Sequence, residues 1–326
     1  MVPNDASLFL IYWVCAIVST SGLAWFLLRI YRLLSGRRWV SDRIDSRKLQ
    51  RMSLQTAADH WVNSKKSSII VSLTTIPSRL AHIDLVLKSL LTQSLAPQCI
   101  KLYIPTFSKR EKTNYQIPPW LMALPGIEIV RVEDVGPATK CIPAIMAHSA
   151  DQAILVVDDD KLYDVDLVKR FESLSKIHPD TVIASSGWIV PLDLIDKPTT
   201  LFRNIFLTPP TPIHATRIHT PRPVDIVMGC SGYLLRPRFF NAADLLNRDN
   251  TPDALWYVDD VWISAHCQVP KIVFPAPRLC FEAISLHAIF RQSSLTLVNR
   301  RGSHGHRNNT IGIQYFENKW MRKATQ

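Results

Sequence analysis

The stretch that decides the fold is Ile154-Leu155-Val156-Val157-Asp158-Asp159-Asp160, in which four apolar residues run directly into three aspartates. A short apolar run of this kind predicts a buried strand of a parallel sheet. Ligands of open α/β sheets bind beyond the carboxyl ends of the strands, so the carboxylates follow the strand at the edge where such a sheet does its chemistry. If the strand geometry continues, Asp158 and Asp160 point to one side and Asp159 to the other.

These three carboxylates also predict a metal site. Carboxylates on one side of a strand repel each other unless a cation lies between them. Hard oxygen ligands suit Mg²⁺ or Mn²⁺. The alternative is a solvated acidic turn that caps the helix predicted to begin near Asp164. The triplet by itself does not decide between the two.

Strands and helices alternate on both sides of this stretch. Apolar runs predict strands at Ser68–Thr74, Ile100–Ile104, Ile127–Val132, Ile154–Val157 and Val182–Ser185. Helical spacing of apolar residues marks Leu80–Leu91 and Leu167–Ile177. This alternation predicts an α/β fold with a mostly parallel sheet and helices on both faces.

The N-terminal segment predicts a membrane anchor. Leu8–Leu28 contains no charged residue and, as a helix, would be about 32 Å long, enough to cross the hydrocarbon core. Basic residues follow it, namely Arg29, Arg32, Arg37, Arg38, Arg43, Arg47, Lys48 and Arg51. The positive-inside rule then predicts a single-pass protein with its catalytic domain in the cytoplasm. A signal peptide would place basic residues before the apolar run, and a buried core helix is the other alternative.

Charge and cysteine content limit the classes of partner. The 326-residue chain has a net charge of +11, much of it in the segment after Leu28, so the charge does not indicate nucleic-acid binding. Its six cysteines contain no C-x-x-C pair and predict reduced thiols rather than structural zinc. We expect an anchor over residues 1–28, a basic juxtamembrane linker over 29–66 that contacts membrane lipid, a catalytic domain over 67–290 and a basic tail over 291–326.

Two further motifs lie in the second half of the chain. Asp225–Arg236 predicts a strand, a turn with Gly229 and Gly232, and a second strand, where backbone can approach a ligand closely. Asp259 and Asp260 begin an apolar helix, whose dipole stabilises carboxylates at its N-terminus.

In this order the motifs resemble the GT-A fold glycosyltransferases, and among them the inverting family two enzymes. The resemblance covers roughly residues 67 to 290 and is carried by Ser72–Arg79 (SLTTIPSR), Asp134–Lys140 (DVGPATK), Val157–Asp160 (VDDD) and Val258–Ser264 (VDDVWIS). It implies a Rossmann-like GT-A domain that transfers a sugar from a nucleotide-diphosphate donor, expected to be a UDP-sugar. The acceptor would be a hydroxyl of a glycan, a glycolipid or a surface polysaccharide.

The resemblance implies a donor role for each matching residue of the first half. Thr75, Pro77 and Arg79 would border the nucleotide. Asp134 and Lys140 would lie near the base and the diphosphate. Lys140 or Arg79 would stabilise the negative charge that develops on the departing diphosphate.

The resemblance also implies a metal-binding D-x-D motif at Asp158–Asp160. Asp160 would bind Mn²⁺ or Mg²⁺, Asp158 would reach the ribose or a metal-bound water, and Asp159 would lie in the donor site between them. Some GT-A enzymes add a late histidine as a metal ligand. His287, His304 and His306 all follow the acidic helix, and we take His287 as the candidate.

On the acceptor side, Asp259 and Asp260 match the acidic pair of the family, whose second member is usually the general base. Asp260 is therefore the expected base, and the Gly229–Gly232 turn would border the acceptor. Three aromatic residues surround the pair and either face a sugar ring or pack in the core, which we expect for at least two of them: Trp256, Tyr257 and Trp262.

Two other functions remain open. One is a metal-dependent phosphotransferase or hydrolase that uses the Asp158–Asp160 cluster. Haloacid dehalogenase-type enzymes place such a motif early in the domain, whereas three predicted strands precede it here. The other is a membrane-anchored binding protein without catalytic activity, against which the presence of both acidic motifs argues.

Overall fold

The structure is a computed structural model, and it describes residues 5–282, 287–300 and 302–321. Its strands are β1 (Ile70–Thr74), β2 (Cys99–Pro105), β3 (Phe107–Ser108), β4 (Thr113–Asn114), β5 (Ile127–Val132), β6 (Ile154–Val156), β7 (Val182–Ala184), β8 (Ser186–Trp188), β9 (Ile213–His214), β10 (Arg222–Pro223), β11 (Ile226–Val227), β12 (Tyr233–Leu235) and β13 (Lys271–Val273). Its α-helices are α1 (Asp5–Ser35), α2 (Trp39–Arg51), α3 (Leu54–Asn63), α4 (Pro77–Leu80), α5 (Asp84–Leu91), α6 (Pro119–Met122), α7 (Ile142–Ala147), α8 (Leu167–Ile177), α9 (Leu201–Phe206), α10 (Ala242–Leu246), α11 (Asp259–His266), α12 (His287–Gln292), α13 (Leu295–Asn299) and α14 (Asn308–Tyr315).

The central sheet contains eight strands in the order β10-β13-β7-β12-β6-β1-β2-β5. Four pairs of neighbouring strands are parallel: β1 with β2, β1 with β6, β2 with β5, and β7 with β13. β12 lies antiparallel between β6 and β7, and β10 is antiparallel to β13. The predicted α/β class with a mostly parallel sheet is therefore confirmed, and each of the five strands predicted around the aspartate triplet forms.

Two hydrophobic cores cover the two faces of this sheet, and β6 contributes to both. Leu155 packs into one core with residues of α5 and α8, whereas Ile154 and Val156 pack into the other with residues of α7 and α11. All three side chains are fully buried. The continuous apolar sequence of β6 thus reflects burial on both faces, as expected for an inner strand with helices on either side.

The predicted transmembrane segment Leu8–Leu28 falls within α1. It is not supported as a membrane span, because no helix in the part of the chain that the structure describes is both long and apolar enough to cross a membrane.

The segments on either side of the sheet domain are largely helical and packed. In the predicted linker, α2 and α3 bury Leu49, Ala57 and Ala58 in the core. In the predicted C-terminal tail, Ile313 and Phe316 are buried. The domain boundaries drawn from the sequence stay a prediction, but both flanks contribute side chains to the cores of the sheet domain.

Candidate functional site

A cleft of about 680 Å³ lies at the carboxyl ends of β1 and β6. Five elements form its walls: the residues after β1, the 3-10 turn Gly136–Lys140, the residues after β6, the turn between β11 and β12, and the start of α11. A C-terminal segment that includes α13 completes the wall. The predicted residues that line this cleft are Thr75, Arg79, Asp134, Lys140, Asp158, Asp159, Asp160, Asp259 and Asp260.

The central aspartate of the triplet is bound from the β1 side. Arg79 Nη1 donates to Asp159 Oδ1 at 2.8 Å, and Thr75 Oγ1 donates to Asp159 Oδ2 at 2.6 Å. Arg79 Nη2 also donates to the backbone oxygens of Phe290 and Ser293, each at 3.0 Å. Asp159 therefore orients Arg79, which in turn holds the C-terminal segment against the cleft.

Lys140 joins the two acidic motifs. Its Nζ forms an ion pair with Asp158 after β6 and lies 2.8 Å from Asp259 Oδ2 at the start of α11. Burial lowers the pKa of Lys140, but Asp158 and Asp259 more than offset this and raise it well above its ordinary value. The ammonium therefore stays charged and holds the carboxylates of two distant chain segments on one side of the cleft.

Gly229 lets the β11–β12 turn approach this ion pair. A Cβ atom at residue 229 would lie 2.9 Å from Lys140 Nζ and 3.0 Å from Asp158 Oδ1. A side chain at residue 229 would therefore displace the Lys140–Asp158 ion pair. This explains why the turn, which was predicted to approach a ligand or strand closely, has a glycine here.

Asp160 points away from Lys140, because β6 ends at Val156 and strand alternation does not continue through the triplet. Asp160 Oδ2 lies 3.9 Å from Arg79 Nη1, and Asp160 Oδ1 lies 3.3 Å from Lys161 Nζ without hydrogen-bond geometry. Asp159 and Asp160 thus share Arg79, and the expectation that Asp158 and Asp160 point to the same side is wrong.

Negative charge is concentrated at Asp160. Burial raises its pKa, Lys161 lowers it, and Asp158 and Asp159 raise it again, so that the pKa lies above its ordinary value. Its buried Oδ1 atom has no hydrogen-bond partner. A divalent cation would stabilise the charged form of Asp160 and would give its Oδ1 atom a partner. Mg²⁺ is commonly held by one or two carboxylates together with substrate phosphates. Asp160 fits such a cation as a carboxylate ligand, whereas Asp158 is paired with Lys140.

The predicted metal set of Asp158, Asp160 and His287 stays a prediction, because the His287 side chain is not described. Among the described residues, no group of three or more His, Cys, Asp or Glu side chains could hold a metal ion. His287 begins α12, and its side chain lies outside the described part of the chain. His304 and His306 are exposed and do not line the cleft.

The two aspartates at the start of α11 have different partners. Asp259 faces Lys140, whereas Asp260 Oδ1 accepts a hydrogen bond from the Gly229 backbone nitrogen at 3.1 Å. Asp260 forms no ion pair with any cation that the structure describes. Burial and the adjacent Asp259 raise the pKa of Asp260 well above its ordinary value. This carboxylate is therefore a stronger base than an ordinary aspartate, as a general base near neutral pH requires.

Two predicted donor residues have structural roles. Asp134 accepts hydrogen bonds from the backbone nitrogens of Gly136 and Lys109, at 2.8 and 2.7 Å, and so shapes the turn that carries Lys140. Pro77 is the first residue of α4 and does not line the cleft.

Most of the basic side chains of the cleft were not among the residues predicted for the site. Arg37, Arg110, Lys161, Arg291 and Arg300 line it in addition to Arg79 and Lys140. The seven acidic side chains of the described lining, Glu282 among them, equal these cations in number. Arg37 comes from the predicted linker and Arg300 from the predicted tail. The local sequence of neither segment predicts that it packs beside the sheet. The described lining of the cleft therefore carries equal numbers of acidic and basic side chains.

The acceptor-side wall carries aromatic side chains and a neutral histidine. Trp256 and Tyr257 line the cleft, whereas Trp262 is buried in the core. His214 also lines it, and burial, with smaller contributions from Arg37 and Arg217, lowers its pKa to about 4. Core packing, expected for at least two of the three aromatic residues, is found for Trp262.

A serine joins His214 to the turn between β11 and β12. Ser186 Oγ lies 2.7 Å from His214 Nδ1 and 2.9 Å from Ser231 Oγ. The imidazole ring is therefore held in place by a hydroxyl that also contacts this turn.

No protein-family model matches the chain, and no curated protein matches it. Among solved structures, residues 1–349 of S. aureus TarS are similar, with a TM-score of 0.41 and 13% identity over 78% of this chain and 71% of that chain. The same protein in complex with UDP-GlcNAc gives a TM-score of 0.40 and 13% identity, over 78% and 72%. Its complex with UDP gives 0.37 and 13%, over 76% and 70%. Similarity of this degree carries no functional argument, so the assignment below rests on the geometry of the cleft.

Proposed function

We propose that the chain is an inverting glycosyltransferase that transfers a sugar from a nucleotide-diphosphate donor to a hydroxyl acceptor. The observation that carries this proposal is the meeting of the Asp158–Asp160 triplet and the Asp259–Asp260 pair in one cleft, joined by Lys140. A transferase of this type needs positive charge at the donor subsite and a carboxylate base facing it. Arg79 and Lys140 would supply the positive charge, and the Asp259–Asp260 pair would supply the base.

The donor subsite lies between β1 and β6. Arg79 and Arg110 line it and offer guanidinium groups suited to phosphate oxygens. Thr75 and Asp159 fix the orientation of Arg79, so this cation is in place before the donor binds. Preorganised positive charge stabilises a departing diphosphate without reorganisation during the reaction.

Asp160 would hold Mg²⁺ or Mn²⁺, with the donor phosphates completing the ligands of the cation. When bound, the cation would supply a Lewis acid that offsets the charge of the diphosphate. The raised pKa of Asp160 and its buried Oδ1, which accepts no hydrogen bond, support this assignment.

Asp260 is the proposed base. Its raised pKa, and the absence of an ion pair to it among the described residues, suit it to take the proton of the acceptor hydroxyl as the new bond forms. Asp259 would keep Lys140 in place. The rings of His214, Trp256 and Tyr257 would position a hydroxyl-bearing acceptor on the same side.

The alternatives are separated by the ligand and by the base. A phosphotransferase or hydrolase that uses Asp158–Asp160 would also use a carboxylate base such as Asp260, so the ligand that binds distinguishes it from the transferase. A binding protein without activity needs no carboxylate with a raised pKa in the cleft. The donor nucleotide, the acceptor and the cytoplasmic, membrane-anchored location expected from the sequence stay predictions.

A thermal-shift experiment on the full chain tests the proposal. We expect UDP or another nucleoside diphosphate to raise the melting temperature in the presence of Mn²⁺, with a gain of about 2.7 kcal/mol at a ligand concentration of 100 times Kd. Asp160→Asn should remove the dependence on Mn²⁺ and preserve the fold. The control is Asp193→Asn, because Asp193 pairs with Lys197 at an exposed site outside the cleft. Stabilisation by inorganic phosphate alone, with none by any nucleotide, would favour the phosphotransferase instead.

A further inference from the structure

An exposed apolar surface adjoins the cleft and has no role in the proposed chemistry. α9 lies in the proline-rich excursion between residues 191 and 223 and has six residues, four of which are large apolar side chains. Their exposed fractions are high: Leu201 65%, Phe202 69%, Ile205 44% and Phe206 60%. Single exposed apolar residues are ordinary, but a cluster on one short helix indicates a surface that another molecule covers.

The fold holds this helix in place. The Thr200 side chain caps its N-terminus by accepting from the Arg203 nitrogen at 3.2 Å. Near its C-terminus, Arg217 donates to the Asn204 side-chain oxygen at 2.6 Å and to the Asn204 carbonyl at 2.5 Å. α9 is therefore fixed with its apolar side chains outward, and does not bury them against the domain.

The surface continues onto the N-terminal helices. α9 contacts α1, and Gly36, directly after α1, lies against Thr216 and Arg217. The end of α1 and the start of α2 add exposed apolar side chains, including Leu27, Leu33, Trp39 and Val40.

The charge around this surface is positive. Exposed basic side chains accompany the apolar ones on α1, α2 and α9, namely Arg29, Arg32, Arg38, Arg47 and Arg203. Asp42 and Asp45 of α2 do not offset them, because both are paired with Arg278. Exposed apolar groups mixed with basic side chains complement the surface of an anionic lipid bilayer.

We propose that α9 inserts into the headgroup region of an anionic membrane, as a contact that does not depend on α1 crossing the membrane. This contact would place the mouth of the cleft at the lipid surface. Pro212, shortly after α9, and Arg37, shortly after α1, both line the cleft. A hydroxyl acceptor carried on a lipid would then reach the site from the bilayer.

Photo-crosslinking tests this contact in the full chain without any use of transfer activity. The photoreactive residue p-benzoylphenylalanine replaces Phe202, and the protein is irradiated on vesicles of phosphatidylcholine and phosphatidylglycerol that contain radiolabelled lipid. The matched control replaces Ile177 of α8, whose side chain is equally exposed at 69%. Transfer of an aromatic ring from water into lipid is favourable by a factor of about ten or more. We therefore expect lipid attachment at residue 202 to exceed that at residue 177 by roughly tenfold.

Three results would overturn the proposal. Equal attachment at the two positions would show that α9 does not enter the lipid. Crosslinking from residue 202 to a second copy of the chain would assign the surface to self-association. Equal attachment on vesicles of phosphatidylcholine alone would remove the role of the basic residues. Phe206, also exposed, is the second position for the same label. Because no sugar donor is present, failure here is distinct from failure of the proposed transferase activity.

Discussion

At the scale of single residues, the division of labour between Asp259 and Asp260 is the sharpest feature of the cleft. Asp260→Asn keeps an oxygen that accepts from the Gly229 nitrogen but removes the base. We expect turnover to fall by about 10²–10⁴-fold, the usual contribution of a positioned base, with donor binding nearly unchanged. Steady-state rates and donor affinity measured on the same preparation check this. Near-full turnover in Asp260→Asn would exclude it as the base.

The same substitution should affect stability with a definite sign. Because the folded pKa of Asp260 is raised, its contribution to stability is greatest below the unfolded value of about 3.9 and is lost as pH rises through the folded value. Asn does not titrate. The melting temperature of Asp260→Asn should therefore rise relative to that of the native chain as pH increases across this window. Melting curves from acid to neutral pH measure the difference, and a constant offset would contradict the raised pKa.

Asp259 should act through the pKa of its neighbour. If Asp260 must be deprotonated, kcat/KM rises with pH through its pKa. Asp259→Asn removes a negative charge that raises this pKa, so the rising limb should move to lower pH. Lys140→Gln removes a positive charge that lowers it and should move the limb to higher pH. The pH–rate profiles of the two variants are the measurement, and shifts in the same direction would rule out this electrostatic account.

At the scale of elements, Lys140 links the end of β6 to the start of α11. Lys140→Met leaves two carboxylates of the cleft without their cation and should lower the free energy of unfolding by about 3–5 kcal/mol. Adding Asp259→Asn should recover part of this loss, because one unpaired charge is then removed. Urea denaturation of both single variants and the double variant gives the coupling, which we expect at about 0.5–3 kcal/mol. Strictly additive losses would mean that Lys140 does not join the two elements.

Elements of this site differ in how far the sequence predicts them. β6 and its aspartates were predictable, because an apolar run before carboxylates is a local pattern. The side to which Asp160 points was not, since it depends on β6 ending at Val156 rather than continuing. The strand–turn–strand around Gly229 was also predictable, but its strands enter different sheets, which only long-range pairing decides.

At the scale of the whole molecule, the sequence predicted an anchor, a linker and a tail around one catalytic domain. The described residues of the supposed linker and tail instead contribute Arg37 and Arg300 to the cleft and buried side chains to the cores. The local sequence pattern predicts neither the cleft-lining arginines nor the buried side chains of these segments, because both depend on contacts with residues that are distant in sequence. The boundaries of the basic juxtamembrane linker and the tail stay a prediction.

α2 is held on the domain by a cluster of charges around Arg278. Arg278 pairs with Asp42 and Asp45 of α2, at 3.0 and 2.6 Å, and lies 3.6 Å from the buried Asp164. Arg278→Ala would leave Asp42 without a cation, while Asp45 keeps Lys48 at 3.8 Å and Asp164 keeps Arg170 at 3.5 Å. We expect a loss of about 2–3 kcal/mol, below the cost for a fully buried pair because the site is partly exposed. Since the loss falls on the attachment of α2, limited proteolysis should cut between α1 and α3 faster than in the native chain.

The matched control is Arg238→Ala. Arg238 also binds two aspartates, Asp151 and Asp180, but at an exposed site, so its loss should cost no more than about 1 kcal/mol and leave the proteolysis pattern unchanged. Equal stability losses in the two variants would mean that the Arg278 cluster is an ordinary surface pairing. The position of Arg37 in the cleft would then depend on the apolar contacts of α2 and α3, through Leu49, Ala57 and Ala58, rather than on this charge cluster.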